Sequence, residues 1–371
     1  MLVELMQFSA VLLMASLTIK LLILPKRAVN SFKVCRSRWL LTAGSALLAI
    51  QFLLQYTLGL RNHNVSAAVM LNVAFFVPCS ALFSLSVINL QRQGFLSRQE
   101  KYIFIPLWIL AIILMLFGIR TGQSSGIFWT EIAASALYAA MQSYYSFHQI
   151  RYMKMIRHAL ANYYDRDMDD LLQWMRWSIY IMTLMAILVP MMIFVQGKLL
   201  AVFGILVLAG IFYLVDCFCL YTVSNAPAKV LEAQQNEEEV LNEQVSDLQQ
   251  KSEEHVSDSA LHRVDIAVAN WIDKRGHLKA GLNLPAAAEE IGVPRYLLSA
   301  WLKQKSVRYN DWLAELRIDE AKQVMLAHPD WSNETIAQRC GFSDRTYFQR
   351  KFKQLTGTTP NDYLTNTDPT V

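Results

Sequence analysis

Two groups of residues in this chain have the types and spacing to do chemistry, and neither is catalytic. Near the C-terminal end, Asp344, Arg345, Thr346, Gln349, Arg350 and Lys353 recur at helical spacing around Tyr347, Phe348 and Phe352. Guanidinium, amide and hydroxyl groups on one helical face can hydrogen-bond base edges, and the cations can pair with phosphates. Far upstream, Glu131 and Asp216 are carboxylates inside stretches otherwise fit to span a bilayer. An ionisable group there is costly, so each is a candidate for signal sensing. No HExxH, GxSxG or phosphate-binding glycine loop occurs. The five cysteines are scattered without a CxxC pair. We expect no enzymatic activity, no metal and no cofactor.

The elements that carry these residues differ sharply in composition. The 371 residues are 54% hydrophobic and 17% charged, too apolar for an ordinary soluble chain of this size. Apolar runs long enough to cross a bilayer recur at about 5–24, 39–60, 67–90, 102–118, 127–150, 177–195 and 199–224, predicting a seven-helix membrane domain over 1–225. The first run has Glu4 where a signal peptide needs positive charge, so it reads as a retained span. The loops after spans one, three and five hold thirteen bases: Lys26, Arg27, Lys33, Arg36, Arg38, Arg92, Arg98, Lys101, Arg151, Lys154, Arg157, Arg166 and Arg176. The opposite loops hold Arg61, Arg120 and Lys198. The positive-inside rule then puts the N-terminus outside and the C-terminal half in the cytoplasm. Trp39, Trp108, Trp129 and Trp177 fall at span ends, as an interfacial belt requires.

Polar residues within the spans have ordinary readings. Lys20, one turn from a span end, is expected to snorkel. Gln51, Gln55, Asn72, Gln142 and His148 are expected to bond between helices. Pro78, Pro106 and Pro190 would kink theirs. Asp165, Asp167, Asp169 and Asp170 read as a solvated helix start, where acids suit the positive end of the dipole.

From 226 to 260 the chain becomes an acidic connector. Nine acids, among them Glu232, Glu237, Glu238, Glu239 and Glu243, face only Lys229 and Lys251 up to Asp258. It is rich in helix formers. Leu231, Leu241, Val245 and Leu248 fit the seam of a coiled coil, which would make the chain a homodimer, while Gln234, Glu238 and Ser252 interrupt that seam. The coiled coil is allowed rather than demanded, and a lone solvated helix is the other reading.

Residues 261–365 read as an all-α domain of two helix–turn–helix units. In the first, Asn283 caps a helix ended by Gly292, and a second helix runs from Arg295 to Gln304. A helix over 310–328, with Trp312, Leu313, Leu316, Val324 and Met325 inward, joins it to the second unit. There Ser332 caps, Trp331 staples onto Ile336, Gly341 turns, and Ser343 caps a helix whose buried stripe is Phe348, Phe352 and Leu355. Gly357 ends that helix, Pro360 opens a last one, and 366–371 reads as a disordered tail.

The pattern Ile336-Ala337, Gly341-Phe342, Tyr347-Phe348, Arg350, Phe352-Lys353, Gly357, Thr359-Pro360 and Tyr363, with Arg317-Ile318 and Ala321 upstream, resembles the DNA-binding domain of the AraC/XylS family of bacterial transcription regulators. The first unit is more divergent, with Leu302-Lys303 and Ala300 at signature positions and Leu364 after Tyr363. The resemblance implies double-stranded DNA as partner. Base contacts would come from Asp344, Arg345, Thr346 and Gln349, with Arg295, Tyr296 and Ser299 in the first unit; Arg350, Lys353 and Lys303 would lie nearer phosphates. The whole then reads as a multi-pass protein of the bacterial cytoplasmic membrane, in contact with lipid, that regulates transcription in response to an unidentified signal. A transporter or channel with a regulatory tail, or a bundle serving only as anchor or dimeriser, remain alternatives.

Overall fold

The computed structural model describes residues 2–25, 31–59, 65–92, 96–121, 124–194, 197–250 and 258–367. The described residues are helical and turn, with no strand among them. The chain divides into two compact units, Met1–Met155 with Leu171–Ala228, and Ile156–Asp170 with Lys229–Val371.

The first unit is built from α1 (Leu2–Leu22), α2 (Phe32–Thr57), α3 (Val65–Gln91), α4 (Arg98–Tyr102), α5 (Phe104–Thr121), α6 (Ser124–Tyr163) up to Met155, α7 (Asp169–Phe194) from Leu171, and α8 (Gly197–Val223). Six stretches among the described residues are long and apolar enough to cross a membrane: Glu4–Leu22, Phe32–Thr57, Ala67–Gln91, Arg98–Arg120, Asp169–Met191 and Leu199–Val223. The fifth expected span, 127–150, is helical throughout within α6. It carries Glu131, Gln142, His148 and Gln149, and these polar residues dilute its apolar character. Lys26, Arg27 and Arg61, used above for orientation, lie outside the described residues, as does the side chain of Lys198.

The core of this unit follows a helical stripe on α3. Val69, Val73, Val77, Ala81, Leu85 and Ile88 pack with Ala111 and Met115 of α5 and Ala134, Tyr138, Met141 and Tyr145 of α6. Buried amides bridge helices, since an unpaired polar group in an apolar core costs more than the bond returns. Gln51 and Gln55 donate to Asn72 at 2.7 and 2.6 Å, Gln7 donates to Gln55 at 3.3 Å, and Ser80 donates to Gln142 at 2.7 Å. One expectation is corrected here. The ring of His148 meets the carbonyl of Tyr144 one turn back at 3.0 Å, a contact within its own helix. Lys20 gains a partner that the sequence did not indicate: its ammonium is paired with the carboxylate of Asp216 on α8. Burial of either charge alone would be expensive, and pairing is the cheaper arrangement.

In the second unit, α9 (Ala226–Gln250) continues from Lys229, and α10 (Asp258–Asp273), α11 (Leu284–Ile291), α12 (Arg295–Gln304), α13 (Tyr309–Ala327), α14 (Asn333–Arg339), α15 (Arg345–Thr356) and α16 (Pro360–Thr367) follow. Helix α13 serves two cores. Its first turns give Tyr309, Trp312 and Leu313 to a cluster with Val264, Val268, Ala287, Leu298 and Leu302. Its later turns give Ala314, Ile318, Ala321 and Met325 to a cluster with Ile336, Ala337, Phe342, Phe348 and Phe352. A helix shared in this way holds its two partners in one fixed relation, because each cluster excludes water independently. Residues 368–371 of the expected tail lie outside the described residues, as do the side chains of Val245 and Leu248. Leu241 of the suggested seam is 60% exposed.

Candidate nucleic-acid interface

Each helix–turn–helix unit is set by caps and a left-handed glycine. Asn283 accepts from the Ala286 amide at 3.0 Å and opens α11, which Gly292 closes with φ +79°. Ser332 accepts from the Thr335 amide at 3.1 Å and opens α14. Gly341 then turns the chain with φ +81°, and a β-carbon there would lie 2.5 Å from the Leu278 carbonyl oxygen. The conformation and the space both require glycine.

The second recognition helix, α15, starts one residue later than expected. Asp344, not Ser343, is its cap, with the carboxylate accepting from the Tyr347 amide at 2.7 Å. A carboxylate is the stronger acceptor at the positive end of the helix dipole, and it wins the position. Its cap bond ties the exposed Asp344 to the helix end. Arg345, Thr346 and Lys353 are exposed, Gln349 is half-buried, and together with Arg350 they share the face opposite Tyr347, Phe348 and Phe352. Leu355, expected in the buried stripe, is 40% exposed. The stripe instead includes Lys351, whose ammonium donates to Asp311 of α13 at 2.5 Å. Burial raises the Asp311 carboxyl, but the Lys351 hydrogen bond and the Lys351 and Arg308 charges outweigh it and hold the group below its ordinary range. This basic side chain belongs to the core; its position beside Phe352 on the helix was the available signal.

In the first unit, Arg295 is the first residue of α12, Tyr296 and Ser299 are half-buried, and Lys303 is exposed in the last turn. Arg295 is fully engaged. Its Nε donates to Glu243 at 3.0 Å, a second guanidinium nitrogen bonds the same carboxylate, and Nη1 donates to Glu239 at 2.6 Å. Both acids come from α9, four residues apart on one face. These hydrogen bonds, led by that to Glu243, raise the Arg295 pKa above its ordinary value. Beside the pair lies an open groove of about 790 Å³ lined by Glu239, Asn242, Glu243, Pro285, Arg295 and Tyr296 among others.

The acids at 165–170 are not simply a solvated helix start. Asp167 does accept from the Asp169 amide at the start of α7, at 3.0 Å. Asp165, however, is buried against Arg317 of α13 at 3.1 Å, the two side chains being 5% and 1% exposed. Arg317 also donates to the carbonyls of His277 at 2.9 Å and Lys279 at 2.7 Å, and Asp165 accepts from the Gly281 amide at 2.9 Å. Asp167 additionally pairs with Arg350 at 3.3 Å. Sequence spacing offered no pointer to these pairings, because the partners are far apart in the chain. No cluster of metal-binding type occurs among the described residues. Of the two carboxylates expected to sense a signal, Asp216 pairs with Lys20, and Glu131 is half-buried on α6 with a partner of its own.

Residues 287–366 match the family described as a helix-turn-helix domain. The chain is similar to the regulatory protein PocR of Salmonella typhimurium, 33% identical over 88 residues, or 24% of this chain and 29% of PocR. It is similar to the porin thermoregulatory protein EnvY of Escherichia coli, 36% identical over 83 residues, covering 22% and 32%. The transcriptional activator RhaS of Escherichia coli is 32% identical over 111 residues, covering 30% and 38%. The chain thus spans about a third of the length of the curated relatives it matches. No solved structure matches it. Two capped helix–turn–helix units folded onto one shared helix, with residues 287–366 matching the helix-turn-helix family, make the C-terminal end of this chain an AraC-type DNA-binding domain.

Proposed function

We propose that the chain is a membrane-embedded transcription regulator that reads DNA through α12 and α15 and takes its signal through the apolar helices. The observation that carries this is the presence, in one chain, of the AraC-type domain and six helices apolar enough to cross a bilayer. Helix α13, 19 residues long, extends about 28 Å at 1.5 Å per residue. That length suits two recognition helices set about one DNA turn, roughly 34 Å, apart. A single chain would then read an asymmetric site. Arg345, Thr346 and Gln349 take the base edges, and Lys353 and Lys303 take phosphates. Arg295, Tyr296, Ser299 and Arg350 join them once the pairs formed by Arg295 and Arg350 open. Asp344 acts on this surface as a cap that sets the entry angle of α15.

The test is to crosslink the intact chain in native membranes to chromosomal DNA and sequence what is recovered. Recovery of a small set of sites sharing an asymmetric motif supports the proposal. Uniform recovery, or recovery from a soluble fraction alone, sinks it.

A further inference from the structure

We propose that Arg295 and Arg350, one cation on each recognition helix, form an interaction surface with two competing occupants, DNA and the chain's own carboxylates, so that the acidic segments close the domain against DNA until they are released. The inference rests on the DNA-reading function proposed above and adds the means of its regulation.

Two of the five bases on the recognition helices that the sequence assigns to DNA, one on each helix, already hold acids. Arg295, at the start of α12, is bound by Glu239 and Glu243 of α9. Arg350, on α15, is bound by Asp167 of the segment 156–170. One acidic segment thus covers each helix–turn–helix unit. Carboxylate oxygens in hydrogen-bonding reach of a guanidinium occupy donors that DNA acceptors would take, and their negative charge repels the DNA backbone, so the two anions compete for it.

The acids are held in place, which separates them from a loose acidic tail. Asp165 is anchored on buried Arg317 and on the Gly281 amide. The Tyr164 hydroxyl donates to Glu232 of α9 at 2.8 Å, and His158 meets Glu237 at 3.3 Å. The Asn283 amide, on the cap of α11, reaches the Tyr163 hydroxyl at 3.4 Å. The segment 156–170 and α9 are therefore bonded to each other and to both units of the DNA-binding domain. The segment is also continuous in the chain with α6 and α7, and α9 follows directly on α8. A change in any of these helices is carried covalently to the acids that cover the cations.

The ion pairs with Arg295 and Arg350 are partly exposed, with the arginine side chains 26% and 51% exposed. Pairs of that kind are weak enough to open and together can still hold an equilibrium closed.

The experiment uses the intact chain in lipid nanodiscs. Duplexes are selected from a random-sequence pool, in parallel, with the parent and with an E239Q/E243Q/D167N variant; Asp165 is left intact to keep Arg317 paired. Affinities for the selected duplex are then compared at one salt concentration. The variant should bind about ten-fold tighter than the parent, the scale expected for opening a few half-exposed ion pairs. A control, E238Q/D170N/D330N, removes as many charges from residues outside these pairs and should stay within about two-fold of the parent. Equal gains in variant and control, or no gain in the variant, overturn the closed surface while leaving DNA reading intact. If neither protein enriches any duplex, the DNA-reading function fails and the inference with it. A second measurement needs no substitution. Carbodiimide labelling of Glu239, Glu243 and Asp167 in the parent should rise when the selected duplex is added; unchanged or reduced labelling overturns the inference.

Discussion

Asp165 and Arg317 stand 152 residues apart in the chain and meet in a buried ion pair of 3.1 Å, their side chains 5% and 1% exposed. Arg317 sits where α13 passes from one core cluster to the next, and its three hydrogen bonds tie that point to the turn at 277–281 and to the segment 156–170. Removing its one carboxylate leaves the buried guanidinium without an anionic partner. Asp165→Ala should destabilise the second unit by about 3–5 kcal/mol. Asp165→Asn, which keeps a hydrogen-bond acceptor, should cost clearly less. Denaturant unfolding of both variants, followed by tryptophan fluorescence, decides this, and equal small losses would show that the pair is dispensable.

Gly341 and Gly357 have nearly the same backbone angle, φ +81° and +80°, but different surroundings. A β-carbon at Gly357 meets nothing within 4 Å, whereas one at Gly341 meets the Leu278 carbonyl at 2.5 Å. Gly357→Ala should cost only the conformational penalty, about 1–2 kcal/mol. Gly341→Ala adds a backbone clash and should cost at least twice as much. Melting temperatures of the two variants compare them directly, and similar losses would refute the close approach.

Arg345→Ala and Lys353→Ala separate base reading from phosphate binding. The first should lose about 1–3 kcal/mol at the cognate site and relax preference at one base pair. The second should weaken all sequences alike and lower the salt slope by about one. Binding measured on a panel of single-base variants distinguishes them. A uniform loss for Arg345→Ala would remove it from the base-reading set.

His158 makes the contact between 156–170 and α9 sensitive to pH. The hydrogen bond to Glu237 raises its pKa above 6.5; burial lowers it, the Glu237 charge raises it further, and the Arg308 charge opposes. The amide of Asn162 also faces the ring, at 2.9 Å. A raised folded pKa means that the stabilisation is fully present below about pH 6.5 and is lost as pH rises through the higher folded value. The parent should therefore be more stable than His158→Gln at pH 6, with the gap closing on the alkaline side. Urea midpoints across that range test the sign; a gap that widens with pH would mean that the imidazole is not paired as a cation.

What could be read in the chain alone was whatever depends on local periodicity. The apolar runs, the caps at Asn283 and Ser332, the turns at Gly292 and Gly341, and the inward face of α13 follow from residues a few positions apart. Backbone geometry makes those relations the same in any fold. The choice of Asp344 over Ser343 as cap lay within reach but turned on one residue of register. The pairings of Lys20 with Asp216, Arg317 with Asp165, Arg350 with Asp167 and Arg295 with Glu239 and Glu243 were decided by the tertiary structure. A charged side chain has the same composition whether it faces water, DNA or a carboxylate brought from far along the chain. Its partner is selected by which groups folding leaves it no water to bind, and that selection is made only when the helices have packed.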